Sequence, residues 1–279
     1  MNVQRKAERL NWTELETRFA VRQHDLEGKL LFACRAEQLA DPETMRQLLD
    51  IYGQRIKALE PAAAAAYLAG WFGYAALAQL YSCSIYDTAL SFTPEQLELQ
   101  LYEKGDYAVF SFKLLGPELQ QSTTHKEPPP SRAEWLQQTW VELYGRTLRP
   151  MLEAAAAATG TDVGSLWGQL PTRFNYTVPL WLEETHDEEL QAIIKDDYRR
   201  LCLELPADVF GRSRNPLDVK VRLIEDMKDS SKQVKMKNAC CLYYQTEGGT
   251  YCYTCPRMTE AQRAERRAEA RLAQQQAAQ

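Results

Sequence analysis

The sequence predicts an α+β fold that is mostly helical, with antiparallel β-hairpins and a C-terminal hairpin that carries four cysteines. Apolar residues recur at helical spacing through most of the first 90 residues and again from 131 to 205. Between 97 and 115 the pattern changes to alternation around Lys104-Gly105-Asp106, which is typical of a β-hairpin. Near the end of the chain, Glu247-Gly248-Gly249 separates two short strand-like stretches, as a second hairpin would require.

The chain divides into three predicted regions. An N-terminal helical region with the first β-hairpin covers residues 1–120, and a C-terminal helical region covers 131–258. The cysteine-bearing segment, 238–257, ends this second region, and 259–279 is a polar helix or tail. The boundary between the two main regions is the polar, proline-rich stretch 120–130.

The stretch from Ala62 to Tyr86 contains no charged residue and is long enough to span a bilayer. It consists mostly of Ala and Gly with polar Gln79 and Ser82 inside, and it has few of the large aliphatic residues that favour insertion. We therefore expect a buried helix, or two helices broken near Gly70 and Gly73.

Capping residues mark the starts of other helices. Asp41-Pro42-Glu43 combines a side-chain cap, a proline at the first helical position and an acidic first turn. Further starts stand at Ser131, Asp162, Asp187 and Thr259. Between them, Pro171–Pro179 is expected to be irregular, and the alternation of Val219, Val221 and Leu223 indicates a strand.

Four of the seven cysteines, Cys240, Cys241, Cys252 and Cys255, lie within sixteen residues. Their spacing suits a [2Fe–2S] cluster, which needs two thiolates on each iron. If the turn centres on Glu247-Gly248, Cys240 falls opposite Cys255. A structural zinc site with the same four ligands and a pair of disulfides are the alternatives.

The remaining cysteines, Cys34, Cys83 and Cys202, stand among apolar neighbours. We expect them to be buried thiols that pack as small hydrophobic side chains, without a role as ligands.

The pattern CC-x10-C-x2-C, followed by Pro256-Arg257, resembles the FhuF-like ferric-siderophore reductases. The doubled cysteine distinguishes it from zinc ribbons, which use separated CxxC pairs, because neighbouring residues on an extended chain point to opposite faces. The resemblance extends to Arg214-Asn215-Pro216-Leu217, to Leu166-Trp167-Gly168 and to Tyr243-Tyr244.

The resemblance implies a one-electron reductase that passes electrons from a [2Fe–2S] cluster to the Fe(III) of a siderophore, of hydroxamate type, and releases Fe(II) in the cytoplasm. The electrons would come from an external ferredoxin, flavodoxin or reductase. The alternative is a non-catalytic iron–sulfur or zinc module that senses redox state or iron.

Substrate contacts are expected from basic and aromatic residues close to the cysteines in sequence. These candidates are Arg214, Lys237, Tyr243, Tyr244, Tyr251 and Arg257.

Charge and missing motifs exclude several other functions. The net charge of −5 argues against nucleic acid as a partner, although residues 206–279 carry 13 basic and 9 acidic side chains. No GxGxxG, P-loop or HExxH motif is present. The N-terminal segment has no apolar core of a secretory signal, so we expect a cytoplasmic protein that is not integral to a membrane, with peripheral association at the inner membrane left open.

Overall fold

A computed structural model describes residues 10–116, 120–121 and 131–277 of the chain. The α+β class expected from the sequence is confirmed. The helices are α1 Trp12–Phe19, α2 Ala36–Leu39, α3 Pro42–Arg55, α4 Pro61–Tyr86, α5 Arg132–Trp140, α6 Arg149–Thr159, α7 Val163–Trp167, α8 Leu170–Glu184, α9 Glu188–Leu203 and α10 Glu260–Ala277, with a π-helix at Val141–Leu148 and 3₁₀ turns at Ala207–Phe210 and Tyr243–Gln245. The strands are β1 Val21–Arg22, β2 Leu30–Arg35, β3 Thr88–Ala89, β4 Leu97–Lys104, β5 Tyr107–Leu114, β6 Gln120–Gln121, β7 Leu223–Glu225 and β8 Gln233–Lys235.

A small sheet of four strands, in the order β1-β5-β4-β2, covers one side of the helices. Its centre is the predicted hairpin, in which β4 and β5 pair antiparallel from Leu97 opposite Leu114 to Lys104 opposite Tyr107. Gly105 adopts a φ of 59° in the turn, a conformation that glycine reaches without steric cost. The inward side chains, including Phe110 and Phe112, are buried in the main core.

The uncharged stretch forms one continuous helix, α4, without a break at its glycines. Most of its residues are buried, and it packs against α3, α8 and α9. Gly73 has a packing role, because a Cβ at this position would lie 3.0 Å from Cγ of Arg173 on α8. Among the described residues, no helix combines the length and the apolar character required to cross a bilayer.

The prediction of irregular structure over Pro171–Pro179 is wrong, because this stretch lies within α8. Pro171 stands in the first turn, where the N–H of a residue has no helical partner in any case. Pro179 removes one interior hydrogen bond, and the carbonyl it would have served, that of Asn175, accepts from Lys235 Nζ at 2.7 Å. The ammonium group of Lys235, which is distant in sequence, thus replaces the missing backbone donor.

The other predicted starts are confirmed. Asp41, Ser131, Asp162 and Asp187 each accept a backbone N–H at the beginning of a helix. Thr259 and Gln262 exchange the two bonds of a capping box before α10. The strand expected from Val219 onward is shorter than predicted and covers only Leu223–Glu225, paired with β8.

The predicted boundary at 120–130 lies outside the described residues apart from 120–121, so the division into regions stays a prediction. One apolar core cluster contains residues from both sides of it, among them Phe112 and Trp167.

The carboxylate of Asp197 is buried between α9 and α4. Asp197 of α9, with a side chain only 3% exposed, accepts from Arg132 Nη2 at 2.6 Å and from Ser84 at 2.8 Å. Arg132 also pairs with Asp87 at the end of α4. Burial raises the pKa of Asp197, and the opposing attraction of Arg132 does not cancel that effect.

Because a buried charge without its partner is costly, we expect Arg132→Gln to lower the free energy of unfolding by about 3 kcal/mol. Asp197→Asn should cost less, since it removes the buried charge, keeps a group that can bond to Ser84 and leaves Arg132 with Asp87. Urea unfolding of the two variants at neutral pH measures the order. Equal losses, or a larger loss for Asp197→Asn, would show that the ion pair itself, and not the desolvated carboxylate, dominates.

Candidate metal centre

The cysteine segment turns back on itself, but it is not the β-hairpin that the sequence predicts. After Cys241, Leu242 adopts a φ of 60°, and Tyr243–Gln245 form a 3₁₀ turn. Leu242 packs on Ala63 and Ala66 of α4. Instead of a ladder between its own two arms, the segment forms an isolated antiparallel β-bridge between Thr246 and Ala58, which lies in the turn before α4.

Two backbone hydrogen bonds fix this docking. Leu59 N–H donates to the carbonyl of Gln245 at 2.8 Å, and Glu247 N–H donates to the carbonyl of Lys57 at 2.9 Å. Gly249 permits the tight return, since a Cβ there would stand 1.8 Å from the carbonyl oxygen of Tyr243. The two arms therefore approach each other as predicted, although no ladder joins them.

The four sulfurs come together as two pairs. Cys240 Sγ and Cys255 Sγ are 3.4 Å apart, as the predicted register requires. The thiols of Cys241 and Cys252 form a hydrogen bond with each other. Among the described residues, no three His, Cys, Asp or Glu side chains are close enough together to hold one ion. Two separate pairs of thiols fit a group with two metal atoms, each of which takes two thiolates.

The second pair is electrostatically polarised. The hydrogen bond from Cys241, together with nearby Lys237, lowers the pKa of the Cys252 thiol to about 6, against the opposing effect of burial. The same bond and burial raise the pKa of Cys241. Lys237 Nζ lies 3.6 Å from Cys241 Sγ. This pair thus holds a thiolate beside a cation before any metal is bound, which is the ionisation state that a metal ligand requires.

The α7–α8 junction and the first turn of α8 hold the first arm of the segment. Gln169 Nε2 donates to the carbonyl of Cys240 at 3.0 Å, and the N–H of Asn238 donates to Thr172 at 3.0 Å. The Asn238 amide donates to the carbonyl of Gly168 at 3.1 Å. Gly168 is needed for this close approach, because a Cβ there would lie 2.9 Å from Cβ of Ala239.

The final helix, α10, holds the second arm. Arg263 is only 6% exposed, and its guanidinium donates to the carbonyls of Cys255 at 2.7 Å and Tyr253 at 3.3 Å. Arg266 donates to the carbonyl of Tyr251 at 2.5 Å. The segment expected from the sequence to be a polar helix or tail is a helix, and its arginines bind the backbone around the cysteines. In the sequence, the spacing of Arg263, Arg266 and Arg267 by three and four residues, which puts them on one helix face, could have indicated that these arginines bind a neighbouring segment.

Five of the six predicted substrate residues lie in two groups at the cysteine segment. Lys237 touches the cysteines and Tyr243 is 43% exposed beside them. Tyr244 and Tyr251 pack together with ring centroids 4.6 Å apart, and Arg257 donates to the Tyr244 hydroxyl at 2.7 Å.

Arg214 is not brought to the site. It lies exposed on a turn whose Asn215 bonds to the carbonyls of Leu201 and Leu205 at the end of α9. Within the described residues, no hydrogen bond or ion pair joins Arg214 to 238–257. Its part in substrate binding stays a prediction without structural support.

A cleft of about 500 Å³ opens beside Cys241, between α4 and α8. No local sequence pattern indicates this cleft, because its walls come from residues far apart in the chain. They include Tyr67, Trp71, Arg173, Tyr176, Thr177 and Lys237.

The other three cysteines are buried, as predicted. Burial raises the pKa of Cys34 and Cys83, and that of Cys202 to about 12. All three thiols are therefore protonated at neutral pH and pack within the core.

The buried arginine of α10 can be tested by substitution. Arg263→Leu leaves the carbonyls of Cys255 and Tyr253 without this donor, so we expect the metal centre to be lost to an iron chelator about tenfold faster. The decay of visible absorbance under nitrogen measures the rate. Glu265→Gln, on an exposed position of the same helix, is the matched control and should decay like the parent protein. Equal rates for Arg263→Leu and the control would remove Arg263 from the support of the site.

Comparison with known proteins agrees with this geometry. Residues 238–257 match the family model described as the FhuF 2Fe-2S C-terminal domain. No curated protein matches the chain. The matched range contains both sulfur pairs and ends at Arg257, and it covers the motif that carried the resemblance in the sequence. The chain therefore carries, over residues 238–257, the 2Fe-2S C-terminal domain of the FhuF-like family, and its cofactor is a [2Fe–2S] cluster.

Proposed function

We propose that this protein is a ferric-siderophore reductase, which takes single electrons from an external donor and delivers them to siderophore-bound Fe(III). The observation that carries the proposal is the pairing of four cysteines within a FhuF-type domain, beside an open cleft. Reduction to Fe(II) weakens the hold of the chelator on the metal, so the product of the reaction is released iron.

The proposed ligands follow from the two sulfur pairs. Cys240 and Cys255 would hold one iron, and Cys241 and Cys252 the other. This assignment agrees with the constraint that adjacent residues of an extended chain point in opposite directions. When bound, the cluster supplies the capacity to accept and release one electron at a time.

Hydrogen bonds and charge around the sulfurs would set the reduction potential. The backbone N–H of Tyr243 donates to Cys241, and that of Arg257 donates to Cys255. The ammonium group of Lys237 lies beside the Cys241–Cys252 pair. These donors favour the more negative, reduced state, because each stabilises electron density on sulfur.

Exposure of the site suits electron transfer from a protein donor, which is too large to enter a cleft. Cys240, Cys241 and Cys252 are partly exposed, whereas Cys255 is 1% exposed. The electron donor would be a ferredoxin, a flavodoxin or a reductase, since the sequence carries no dinucleotide-binding motif. We place the reaction in the cytoplasm, where reduced one-electron carriers and incoming siderophores meet.

The reaction can be tested in a stopped-flow experiment without oxygen. Protein reduced with dithionite and freed of excess reductant is mixed with a ferric hydroxamate siderophore and a coloured Fe(II) trap. We expect reoxidation of the cluster in step with formation of the Fe(II) complex. The trap is needed because about 59 mV of unfavourable potential costs a factor of ten in equilibrium for one electron.

Two controls define the outcome. The gallium form of the same siderophore, which accepts no electron under these conditions, should leave the cluster reduced. NADH or NADPH alone should not reduce the oxidised protein. A cluster that stays reduced with every ferric chelate, trap present, would contradict the reductase and favour the sensing module.

A further inference from the structure

The cleft beside Cys241 contains two cations without carboxylate partners. Of its described lining residues only Arg173 and Lys237 are charged, and both are positive. Neither forms an ion pair with any described Asp or Glu. Most of the other arginines in the described part of the chain have such a partner, for example Arg132 with Asp197 and Arg200 with Asp196.

Arg173 is held in a fixed orientation that still faces the cleft. Its Nε donates to the carbonyl of Gly70 at 3.1 Å, and its Nη1 donates to the Tyr74 hydroxyl at 2.6 Å. The guanidinium carbon also lies 3.8 Å from the centre of the Tyr74 ring. Its Nη2 has no hydrogen-bond partner within the described part of the chain. A preorganised guanidinium with donors left over is a common device for binding carboxylates.

The rest of the cleft suits an organic ligand. Aromatic side chains of Tyr67, Trp71 and Tyr176 line it, and its volume of about 500 Å³ lies within the range of small-molecule sites. Tyr176 is 41% exposed, so the cleft is open at this end. Cys241, whose sulfur belongs to the proposed ligand set, is also one of its lining residues.

From this geometry we infer that the cleft binds the electron-accepting chelate and selects chelates that carry a negatively charged pendant group, with Arg173 as the main specificity-determining residue. The inference rests on the proposed function and adds a substrate preference to it. The chelate would lie against the Cys241–Cys252 side of the cluster. One electron would pass from the reduced protein to Fe(III), which gives oxidised protein and Fe(II).

A matched series of chelates tests this preference. Ferrioxamine B, its N-acetyl derivative and its N-succinyl derivative share one hydroxamate ligand set and differ in a pendant ammonium, amide or carboxylate group. Their gallium forms allow binding to the oxidised, cluster-loaded protein to be measured by calorimetry without any electron transfer. We expect the succinyl form to bind about tenfold more tightly than the acetyl form.

Substitutions identify the group responsible. Arg173→Gln should abolish the difference between the succinyl and acetyl forms, and Arg173→Lys should restore part of it. Thr177→Glu lines the same cleft and stands one helical turn from Arg173, where its carboxylate can pair with the guanidinium, so it keeps the test valid if Arg173→Gln does not fold. It should remove the preference for the succinyl form. Arg46→Gln, on an exposed side chain of α3, should behave like the parent protein.

The outcomes separate this inference from the proposed function. If the parent protein reduces the three ferric chelates and binds their gallium forms with equal affinity, the cleft is not selective and the inference fails, while the reductase stands. An unchanged succinyl preference in both Arg173→Gln and Thr177→Glu would also overturn it. If the protein reduces no chelate at all, the proposed function itself fails.

Discussion

Two cysteines that are neighbours in the chain do not readily bind one metal atom, and the cysteine segment is arranged around this constraint. Cys240 and Cys241 direct their sulfurs to different partners, Cys255 and Cys252, so that each arm of the segment contributes one thiol to each pair. The short separation of Cys252 and Cys255, with Cys255 N–H bonded to the carbonyl of Cys252, turns the second arm to match. The result is a site with two halves.

Such a segment cannot hold this shape alone, because it contains little regular structure of its own. Three parts of the fold bind its backbone: the turn before α4 at Lys57 and Leu59, the α7–α8 junction at Gln169, and α10 through Arg263. All three use hydrogen bonds to main-chain groups, so they fix the path of the segment without occupying the sulfurs. The helical core thus positions the site.

Local signals in the sequence predicted the parts of the fold that local forces decide. Caps such as Asp41 and Ser131 bind N–H groups three residues away, and the 97–115 hairpin pairs neighbouring strands. Long-range contacts decided the rest. The helix around Pro179 survives because Lys235, distant in sequence, binds the freed carbonyl.

The same distinction applies to the site. The four candidate cysteines and the position of Cys240 opposite Cys255 could be predicted from spacing, since the spacing itself limits the geometry. The 3₁₀ turn at Tyr243–Gln245 could not, because it depends on Ala58 and on the packing of Leu242 against α4. The cleft with Arg173 could not be predicted either, because no local pattern relates α4, α8 and Lys237.

Whether the two sulfur pairs bind two irons is tested most directly by the Mössbauer spectrum of protein purified without oxygen from cells grown on ⁵⁷Fe. We expect about two irons and two acid-labile sulfides per chain, with both irons in tetrahedral sulfur coordination and one converted to Fe(II) by one-electron reduction. Cys241→Ala should lose this spectrum, whereas Cys202→Ser should keep it. One zinc per chain without sulfide, or an intact two-iron spectrum in Cys241→Ala, would contradict a two-iron centre held by these four cysteines.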